Sequence, residues 1–307
     1  MGLAPYGEPK FVKVILDHLL DLKEDGSFRL DMSYFNFAVG NVMTNDRFHN
    51  LFGRPVRRPE SLITNLDMDL AASIQAVTEE VVLRIARYIH KQTGESNLCL
   101  SGGVALNCVA NGRLYREGPF KNIWIQPASG DAGSAIGAAL WLWYSRLGNT
   151  REPSTLLDRQ KGSLIGTEYT PKEIKTYLNN NNIPFIDYGT VELSRRVAEL
   201  IASGKVIGWF SGRMEFGPRA LGSRSILGDP RSETMQSVMN LKIKYRENFR
   251  PFAPMILAED LRDWFEVDGD RIPDKNFNSA YMLMVGHVRK NRRKGIVGSH
   301  KTRGLGA

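Results

Sequence analysis

Apolar residues recur at intervals of three and four from Leu62 to Gly94, a spacing that predicts one long amphipathic helix. The apolar stripe consists of Leu70, Ile74, Val77, Val81, Ile85 and Tyr88. We expect Asn65 or Asp67 to cap the start of this helix and Gly94 to end it. The first 60 residues show no clear periodicity, and no element is predicted there.

The pattern then changes to short apolar runs bounded by glycine or proline. NLCLSGG (97–103) and KNIWIQP (121–127) predict two strands, and the helix-like stretch VALNCVANGRLYREG (104–118) separates them. A further helix is predicted in DAGSAIGAALWLWYSRLG (131–148), whose small residues allow close approach of a neighbour or a ligand. This order of strand, helix, strand and helix predicts an α/β fold.

A second α/β unit is predicted after residues 148–163, because that polar stretch has the proline and glycine content of a linker. Thr170 is expected to cap a helix that has Pro171 first and Glu173 three residues after the cap. A helix over 191–203 and the strand KVIGWF (205–210) follow. Asp229 and Pro230 are then expected to begin a helix that continues to residue 243.

The formal net charge of +8 comes almost entirely from the last 21 residues. This tail, residues 287–307, carries seven Lys and Arg and no acidic residue, so the remaining 286 residues hold 34 basic and 33 acidic side chains. The tail has no apolar periodicity and is expected to be disordered rather than to bind nucleic acid.

Composition also indicates the cellular location and the state of the two cysteines. No run of 18 apolar residues is present, so we expect a soluble cytoplasmic protein without a membrane partner. Cys99 and Cys108 lie in apolar or small-residue runs and are expected to be buried free thiols. A zinc site is not expected, because no further cysteine or histidine stands at ligand spacing.

Two glycine-containing turns are candidate binding sites. Gly102 and Gly103 lie between a predicted strand and a helix, where backbone N–H groups can face an anion, and Asn107 follows one turn later. A tight turn without a ligand is the alternative. Asp131 follows Gly130 at a predicted helix start, where the small residues around it leave room for a hard cation or a nucleotide phosphate. The alternative is that its carboxylate simply caps the helix.

The third candidate is the stretch WFSGRMEFGPRALGSRSIL (209–227) together with KYRENFRPF (244–252). These two stretches supply a cluster of basic residues: Arg213, Arg219, Arg224, Lys244, Arg246 and Arg250. Guanidinium groups bind phosphate with two parallel hydrogen bonds, so the cluster favours a polyphosphate ligand or an adenylate-forming step. A solvated basic face is the alternative, although it would not need the glycines and prolines.

These stretches resemble the ATP-dependent O-carbamoyltransferases of nodulation and antibiotic biosynthesis. The likeness covers about residues 1–286 and rests on five segments in the family's order: MGLAPYG, LSGGVALNCVANGRL, PASGDAGSAIGAAL, GRMEFGPRALGSRSILGDPR and KYRENFRPFAPMIL. It implies the C-terminal half of an actin-like transfer domain over residues 1–150. A partial YrdC-like domain over 151–286 and the basic tail over 287–307 follow.

The resemblance also implies a reaction and roles for residues. Carbamoyl phosphate and ATP would give carbamoyl adenylate, from which a hydroxyl of a small molecule, such as a lipo-chitooligosaccharide or an antibiotic sugar, takes the carbamoyl group. Arg219 and Lys244 match catalytic residues, and Asp131 matches a ligand of a divalent metal, iron or magnesium. The residues implied to bind the nucleotide are Gly102, Gly103, Asn107, Gly130, Arg213, Arg224, Arg246 and Arg250.

Two departures from the family lead us to expect a fragment truncated at both ends. The family's His-x-x-x-His pair is not found among the five histidines, and the basic tail replaces the family's further strands. A nucleotide-binding subunit completed by a separately encoded N-terminal half is the alternative function. A sugar kinase or a chaperone-type ATPase would leave the arginine stretch without a role.

Overall fold

The computed structural model describes residues 1–58, 61–152, 158–266 and 281–293. Its helices are α1 (Val12–Val14), α2 (Asp46–Leu51), α3 (Asn65–Thr93), α4 (Cys108–Glu117), α5 (Asp131–Trp141), α6 (Pro171–Asn180), α7 (Thr190–Ala202), α8 (Met235–Val238) and α9 (Leu261–Trp264). Its strands are β1 (Leu20–Leu22), β2 (Phe28–Leu30), β3 (Asn97–Leu100), β4 (Asn122–Ile125), β5 (Ile207–Phe210), β6 (Arg224–Leu227), β7 (Phe265–Glu266) and β8 (His287–Val288).

This mixture of helices and strands confirms the predicted α/β class, while the actin-like and YrdC-like assignments stay predictions. Residues 153–157 of the predicted linker and residues 294–307 of the predicted tail lie outside the described residues. The described helices include none that is both long and apolar enough to cross a bilayer.

The long helix α3 organises the first half of the chain. Its N-cap is Thr64, whose backbone N and Oγ1 both donate to Asp67 Oδ2 at 2.8 Å. The prediction of Asn65 or Asp67 as the cap is wrong, because Thr64 takes that position and Asp67 completes the capping box from the third helical residue. Gly94 ends the helix with φ +68°, as predicted.

Three buried apolar clusters stabilise this half. Val77 of α3 packs in the first, and Leu83 and Ala86 of α3 pack in the second with Leu114 of α4. The third cluster contains Ala105, which follows β3, Ile125 at the end of β4, and Leu283 from a segment distant in sequence. The side-chain amide of Asn111 strengthens that last link, because it donates to the carbonyl oxygens of Ala105 and Leu283 at 2.8 and 2.9 Å.

Strands β3 and β4 lie parallel, with Asn97 opposite Asn122 and Leu100 opposite Ile125, and α4 forms the connection between them. Both strands therefore end at the same edge, and the turns that follow them lie side by side. Cys99 on β3 is exposed, so the prediction that both cysteines are buried is wrong. Both are free, as predicted.

The second half contains the predicted helices and an unpredicted strand. Thr170 and Glu173 form the predicted capping box of α6. Strand β5 pairs with β6 in an antiparallel hairpin, with Phe210 opposite Arg224. Helix α8 begins at Met235 rather than at Asp229, because the Asp229 carboxylate binds the guanidinium of Arg231 instead of capping a helix.

Candidate functional site

The candidate site lies where β3 and β4 end. The first glycine turn, residues 101–107, follows β3, and the second glycine turn, residues 126–130, follows β4. Gly102 has φ +96°, a conformation that glycine adopts without strain, and its N–H donates to the carbonyl oxygen of Ser129 at 2.9 Å. This hydrogen bond joins the two turns directly. Gly103 begins the 3-10 turn Gly103–Leu106 within the first of them.

Helix α5 begins at Asp131, directly after the second glycine turn. Its N-cap is Gly130, which has no side chain to cap the helix, and the N–H of Gly133 in the first turn donates to the Gly130 carbonyl oxygen at 3.0 Å. Gly133 is required for packing, because a Cβ at this position would come within 2.0 Å of the carbonyl oxygen of Ala128. Asp131 is exposed.

The loop between β5 and β6, residues 211–223, reaches both glycine turns, and we call it the arginine loop. Gly217 adopts φ +126°, and a Cβ there would contact the Ala128 side chain at 3.3 Å and the Pro127 carbonyl oxygen at 3.4 Å. Arg219 Nη2 donates to the carbonyl oxygen of Leu106 at 2.9 Å. The tip of the arginine loop therefore lies on both turns at once.

Arg219 also affects Cys108, the first residue of α4. Burial raises the pKa of the Cys108 thiol, and the nearby positive charge of Arg219 opposes that rise. The Arg219 side chain is partly buried, and its Nε is a buried donor without an acceptor among the residues that the structure describes. Such groups are rare in folded proteins.

Glu215 holds the arginine loop in shape. The residue is 8% exposed, and its Oε1 accepts hydrogen bonds from the backbone N–H groups of Ser223, Leu221 and Arg224 at 2.7, 2.8 and 3.2 Å. Burial by itself raises the pKa of Glu215, but these backbone hydrogen bonds outweigh it and bring the pKa below its usual value. Glu215 is therefore charged at neutral pH and fixes the conformation of the loop.

The Arg224 guanidinium donates to four backbone carbonyl oxygens of the protein. Nη1 donates to the carbonyl oxygens of Ser211 and Ser223 at 3.1 and 3.0 Å, and Nη2 donates to those of Gly212 and Thr167 at 3.1 and 3.3 Å. Its guanidinium lies 3.5 Å from the centre of the Phe210 ring. These contacts connect the two ends of the arginine loop, so Arg224 has a structural role whether or not it binds a ligand.

Arg213 lies at the outer side of the same loop. Its Nη1 donates to the carbonyl oxygen of Gly166 at 3.2 Å, and its Nε lies 3.3 Å from Glu168 Oε2. The side chain is 53% exposed, which leaves it accessible to a ligand.

The other three basic residues belong to a separate segment, 244–252. Arg246 Nε donates to Asn240 Oδ1 at 2.6 Å, and its guanidinium lies 4.8 Å from the Phe252 ring centre. Burial lowers the pKa of Arg246, and neighbouring Arg250 lowers it further. Arg250 pairs with Glu247 at 2.8 Å, and the Lys244 side chain is exposed. That these residues converge with Arg219 on one pocket stays a prediction.

Asn107 occupies the N-cap of α4 rather than a position one turn inside the helix. Its Oδ1 accepts the backbone N–H of Ala110 at 3.1 Å. Its amide pairs reciprocally with the amide of Gln75 on α3, at 3.0 and 3.2 Å. Its nucleotide contact stays a prediction.

Gln75, the partner of Asn107, also lines a cavity of about 270 Å³. The cavity lies between the N-terminal segment, α3 and α4, and its lining includes Met1, Pro5, Ala72, Gln75, Glu79 and Val109. It is therefore adjacent to the first glycine turn through Asn107.

A divalent metal was implied at Asp131. Among residues 1–58, 61–152, 158–266 and 281–293, no three His, Cys, Asp or Glu side chains come close enough to hold a metal ion. The described residues thus do not complete the implied metal site by themselves, and we derive no chemical step through a metal.

Sequence reasoning missed Ser129. This residue is 5% exposed, and its Oγ, like Arg219 Nε, is a buried polar atom without a partner in the described structure. Its position just before Gly130 in the second glycine turn was the available signal, but a single serine has no evident role until its burial is known.

Comparison with known proteins gives matches over most of the chain. Residues 1–140 match the family model described as "Carbamoyltransferase N-terminus", and residues 198–302 match "Carbamoyltransferase C-terminus". The arginine loop and the two glycine turns therefore fall in different family regions, and the Arg219 contact joins them.

Individual relatives include an uncharacterized protein of Synechocystis sp. PCC 6803, 59% identical over 298 residues, which are 95% of this chain and 46% of the relative. Nodulation protein NolNO of Sinorhizobium fredii is 37% identical over 95% of this chain and 40% of its own length. Nodulation protein NolO of Bradyrhizobium diazoefficiens is 39% identical over 90% of this chain and 48% of its own length. The chain thus spans about half the length of these relatives.

Proposed function

The chain belongs to the carbamoyltransferase family, and on that premise we propose that it takes part in ATP-dependent O-carbamoylation. Carbamoyl phosphate and water give carbamate and phosphate. A carbamate oxygen then attacks the α-phosphorus of ATP, which gives carbamoyl adenylate and releases pyrophosphate. A hydroxyl of a small-molecule acceptor takes the carbamoyl group, and AMP and a proton leave. A cytoplasmic location is proposed because ATP is the energy source.

One observation carries this proposal: Arg219 of the arginine loop binds Leu106 O at 2.9 Å in the first glycine turn. The contact brings a cation beside two turns that lead into helices, and helix N-termini are common binding positions for phosphate. Ligands of parallel α/β sheets bind at this edge, beyond the carboxyl ends of the strands.

The charges suit the first chemical step. Carbamate and the triphosphate are both anions, so fixed guanidinium groups stabilise the transition state in which they meet. Arg219 is proposed to act at the reacting phosphate, while Arg213 has a guanidinium exposed for the leaving pyrophosphate. Lys244, Arg246 and Arg250 are proposed to join the same site, with Lys244 as the second catalytic cation.

The acceptor is proposed to be a hydroxyl-bearing small molecule, with a lipo-chitooligosaccharide first and an antibiotic sugar second. Two of the relatives are nodulation proteins by name, which supports this order. Asp131 is proposed to contribute one oxygen ligand to a divalent metal whose other ligands lie outside the described residues.

The test is carbamoyl-phosphate-dependent exchange of labelled pyrophosphate into ATP. We expect Arg219→Ala to lower the exchange rate about 10²- to 10³-fold, as is typical for removal of one preorganised donor. Arg195→Ala is the matched control, because Arg195 is 64% exposed on α7 and, within the described ranges, its ion pairs are with Glu192 and Glu199 of its own helix. Equal rates for the two variants would overturn the assignment.

The alternative is a nucleotide-binding subunit that acts only with a second chain. The coverage of about half of each relative favours keeping this alternative. Addition of a polypeptide matching the remaining part of the relatives would then restore exchange that this chain alone does not show. Exchange by this chain alone, with no gain on that addition, would contradict it.

A further inference from the structure

A segment that begins inside the predicted linker lies against the arginine loop. Residues 158–167, which we call the supporting segment, fall between the two ranges that match the family. Ser163 is fully buried, and its carbonyl oxygen accepts the N–H of Phe216 at 2.7 Å. Phe216 precedes Arg219 by three positions. The supporting segment therefore contacts the arginine loop close to the residue that is proposed to act at the reacting phosphate.

Further hydrogen bonds pair the end of the supporting segment with the arginine loop. The N–H of Gly166 donates to the carbonyl oxygen of Met214, and the N–H of Met214 donates to that of Thr167, each at 2.9 Å. A Cβ on Gly166 would lie 2.7 Å from the same Met214 oxygen, so a larger residue could not approach this closely. Arg224 Nη2 also donates to the Thr167 carbonyl oxygen, at 3.3 Å. These bonds determine the path of the arginine loop.

The turn that contains Ser163 has an unusual backbone conformation. Lys161, Gly162 and Ser163 have φ values of +53°, +68° and +60°, and two of these three residues are not glycine. Such φ values are uncommon for residues with a side chain, so the turn needs partners that hold it. Asp158 supplies them, because its carboxylate accepts the N–H groups of Gln160 at 2.8 Å and of Gly162 at 2.7 Å.

Tyr281 connects the same carboxylate to the first half of the chain. Its hydroxyl donates to Asp158, and its ring packs edge-to-face on Trp124 of β4, with 6.4 Å between the ring centres. Burial by itself raises the pKa of Asp158, but the hydrogen bonds from Tyr281 and from the backbone outweigh it and bring the pKa below its usual value. A charged Asp158 therefore links β4, which leads into the second glycine turn, to the turn that contacts the arginine loop.

We propose that Asp158 is a positioning residue that holds Arg219 over the first glycine turn. It acts through the turn at Ser163 and through the hydrogen bond from that turn to Phe216. Its importance for catalysis rests on the proposed function. Its effect on the position of Arg219 rests only on the hydrogen bonds of the supporting segment.

Cys108 is a probe of the position of Arg219. Burial raises the pKa of the Cys108 thiol, and the positive charges of Arg219 and of the N-terminal amino group oppose that rise. A change that moves Arg219 away should therefore raise the pKa of Cys108. Cys99→Ser leaves Cys108 as the only thiol of the chain, so in that background the pH profile of alkylation by iodoacetamide follows this pKa.

We expect Asp158→Asn to move the alkylation profile to higher pH, in the same direction as Arg219→Ala. The asparagine NH₂ cannot accept the N–H of Gly162, so the turn loses a hydrogen bond. Asp25→Asn is the matched control, because Asp25 also accepts from a backbone N–H and a hydroxyl, both of Ser27 between β1 and β2, at 2.9 and 2.7 Å. This control should keep the wild-type profile.

Two more variants make the test specific. Tyr281→Phe removes one donor from the Asp158 carboxylate and should give a smaller shift in the same direction. In an Arg219→Ala background, Asp158→Asn should cause no further shift, because one residue acts through the other. A wild-type profile in Asp158→Asn, or in Tyr281→Phe where Asp158→Asn does not fold, would overturn the proposal. An equal shift in Asp25→Asn, or a further shift in the combined variant, would overturn it as well.

The alkylation assay contains neither ATP nor carbamoyl phosphate, so its result is separate from the exchange test. In the exchange test we expect Asp158→Asn to lower the rate about 10- to 100-fold, because a small misplacement of a positioned group has an effect of this size. Asp25→Asn should leave the exchange rate unchanged. A shifted alkylation profile in a protein without exchange would retain the positioning role and reject the proposed function.

Discussion

The guanidinium of Arg219 and the carbonyl oxygen of Leu106 form a hydrogen bond of 2.9 Å across 113 residues of sequence. Leu106 ends the 3-10 turn that follows β3, and Arg219 lies near the middle of the loop between β5 and β6. The bond therefore sets the position of the arginine loop over the glycine turns. It uses Nη2, one of the three guanidinium nitrogens, while Nε is a buried donor without a partner among the described residues.

Arg224→Lys should destabilise the protein although it keeps the charge. Lysine cannot reach four carbonyl oxygens and cover the Phe210 ring together, so we expect a loss of about 1–3 kcal/mol in the free energy of unfolding, measured with urea. Arg213→Lys is the control, because Arg213 is 53% exposed and should change stability by less than about 0.5 kcal/mol. Equal losses would show that Arg224 does not organise the loop.

Two glycines of α5 should respond in opposite ways to alanine. Gly133→Ala places a Cβ 2.0 Å from the Ala128 carbonyl oxygen and should destabilise the protein by at least about 1–3 kcal/mol. Gly137 has no atom within 4 Å of its Cβ position, so Gly137→Ala should stabilise the helix by about 0.5–1 kcal/mol. Thermal unfolding followed by circular dichroism compares the variants. A destabilising Gly137→Ala would contradict the exposed position of α5.

Glu215 should make stability depend on pH in the acid range. Its pKa is lowered in the folded protein, so its contribution is fully present above its unfolded pKa of about 4.3 and is lost as pH falls through the folded value. Glu215→Gln should therefore flatten the fall in urea midpoint below about pH 4.3. Glu233→Gln changes an exposed glutamate just before α8; it is the control and should keep the wild-type dependence of the urea midpoint on pH. If the urea midpoint of Glu215→Gln fell with pH as steeply as that of the wild type, the backbone hydrogen bonds to Glu215 would not stabilise the folded protein.

Local pattern predicted much of the fold. The spacing of Leu70, Val77 and Val81 predicted α3, and Thr170 with Glu173 predicted the start of α6, because both features act within a few residues. Strand β6 was not predicted, because its residues follow a glycine-rich loop and their extended conformation depends on pairing with β5.

The candidate site was predictable in its components but not in its arrangement. Glycine turns and arginines are visible as residue types, whereas the contacts between Arg219 and Leu106 and between Gly217 and Ala128 depend on how distant segments pack. Glu215 was visible only as an acid near the arginines. Its role in fixing the loop follows from three backbone hydrogen bonds that no sequence pattern specifies.

Strands β3 and β4 pair only with each other among the strands that the structure describes, so each has one edge of unpaired backbone groups. Such an edge is a template for addition of another strand, either from a partner or from a second molecule. Protein concentration therefore becomes a variable of every assay on this chain. Light scattering across a dilution series would reveal edge-to-edge assembly as particle size that grows with concentration.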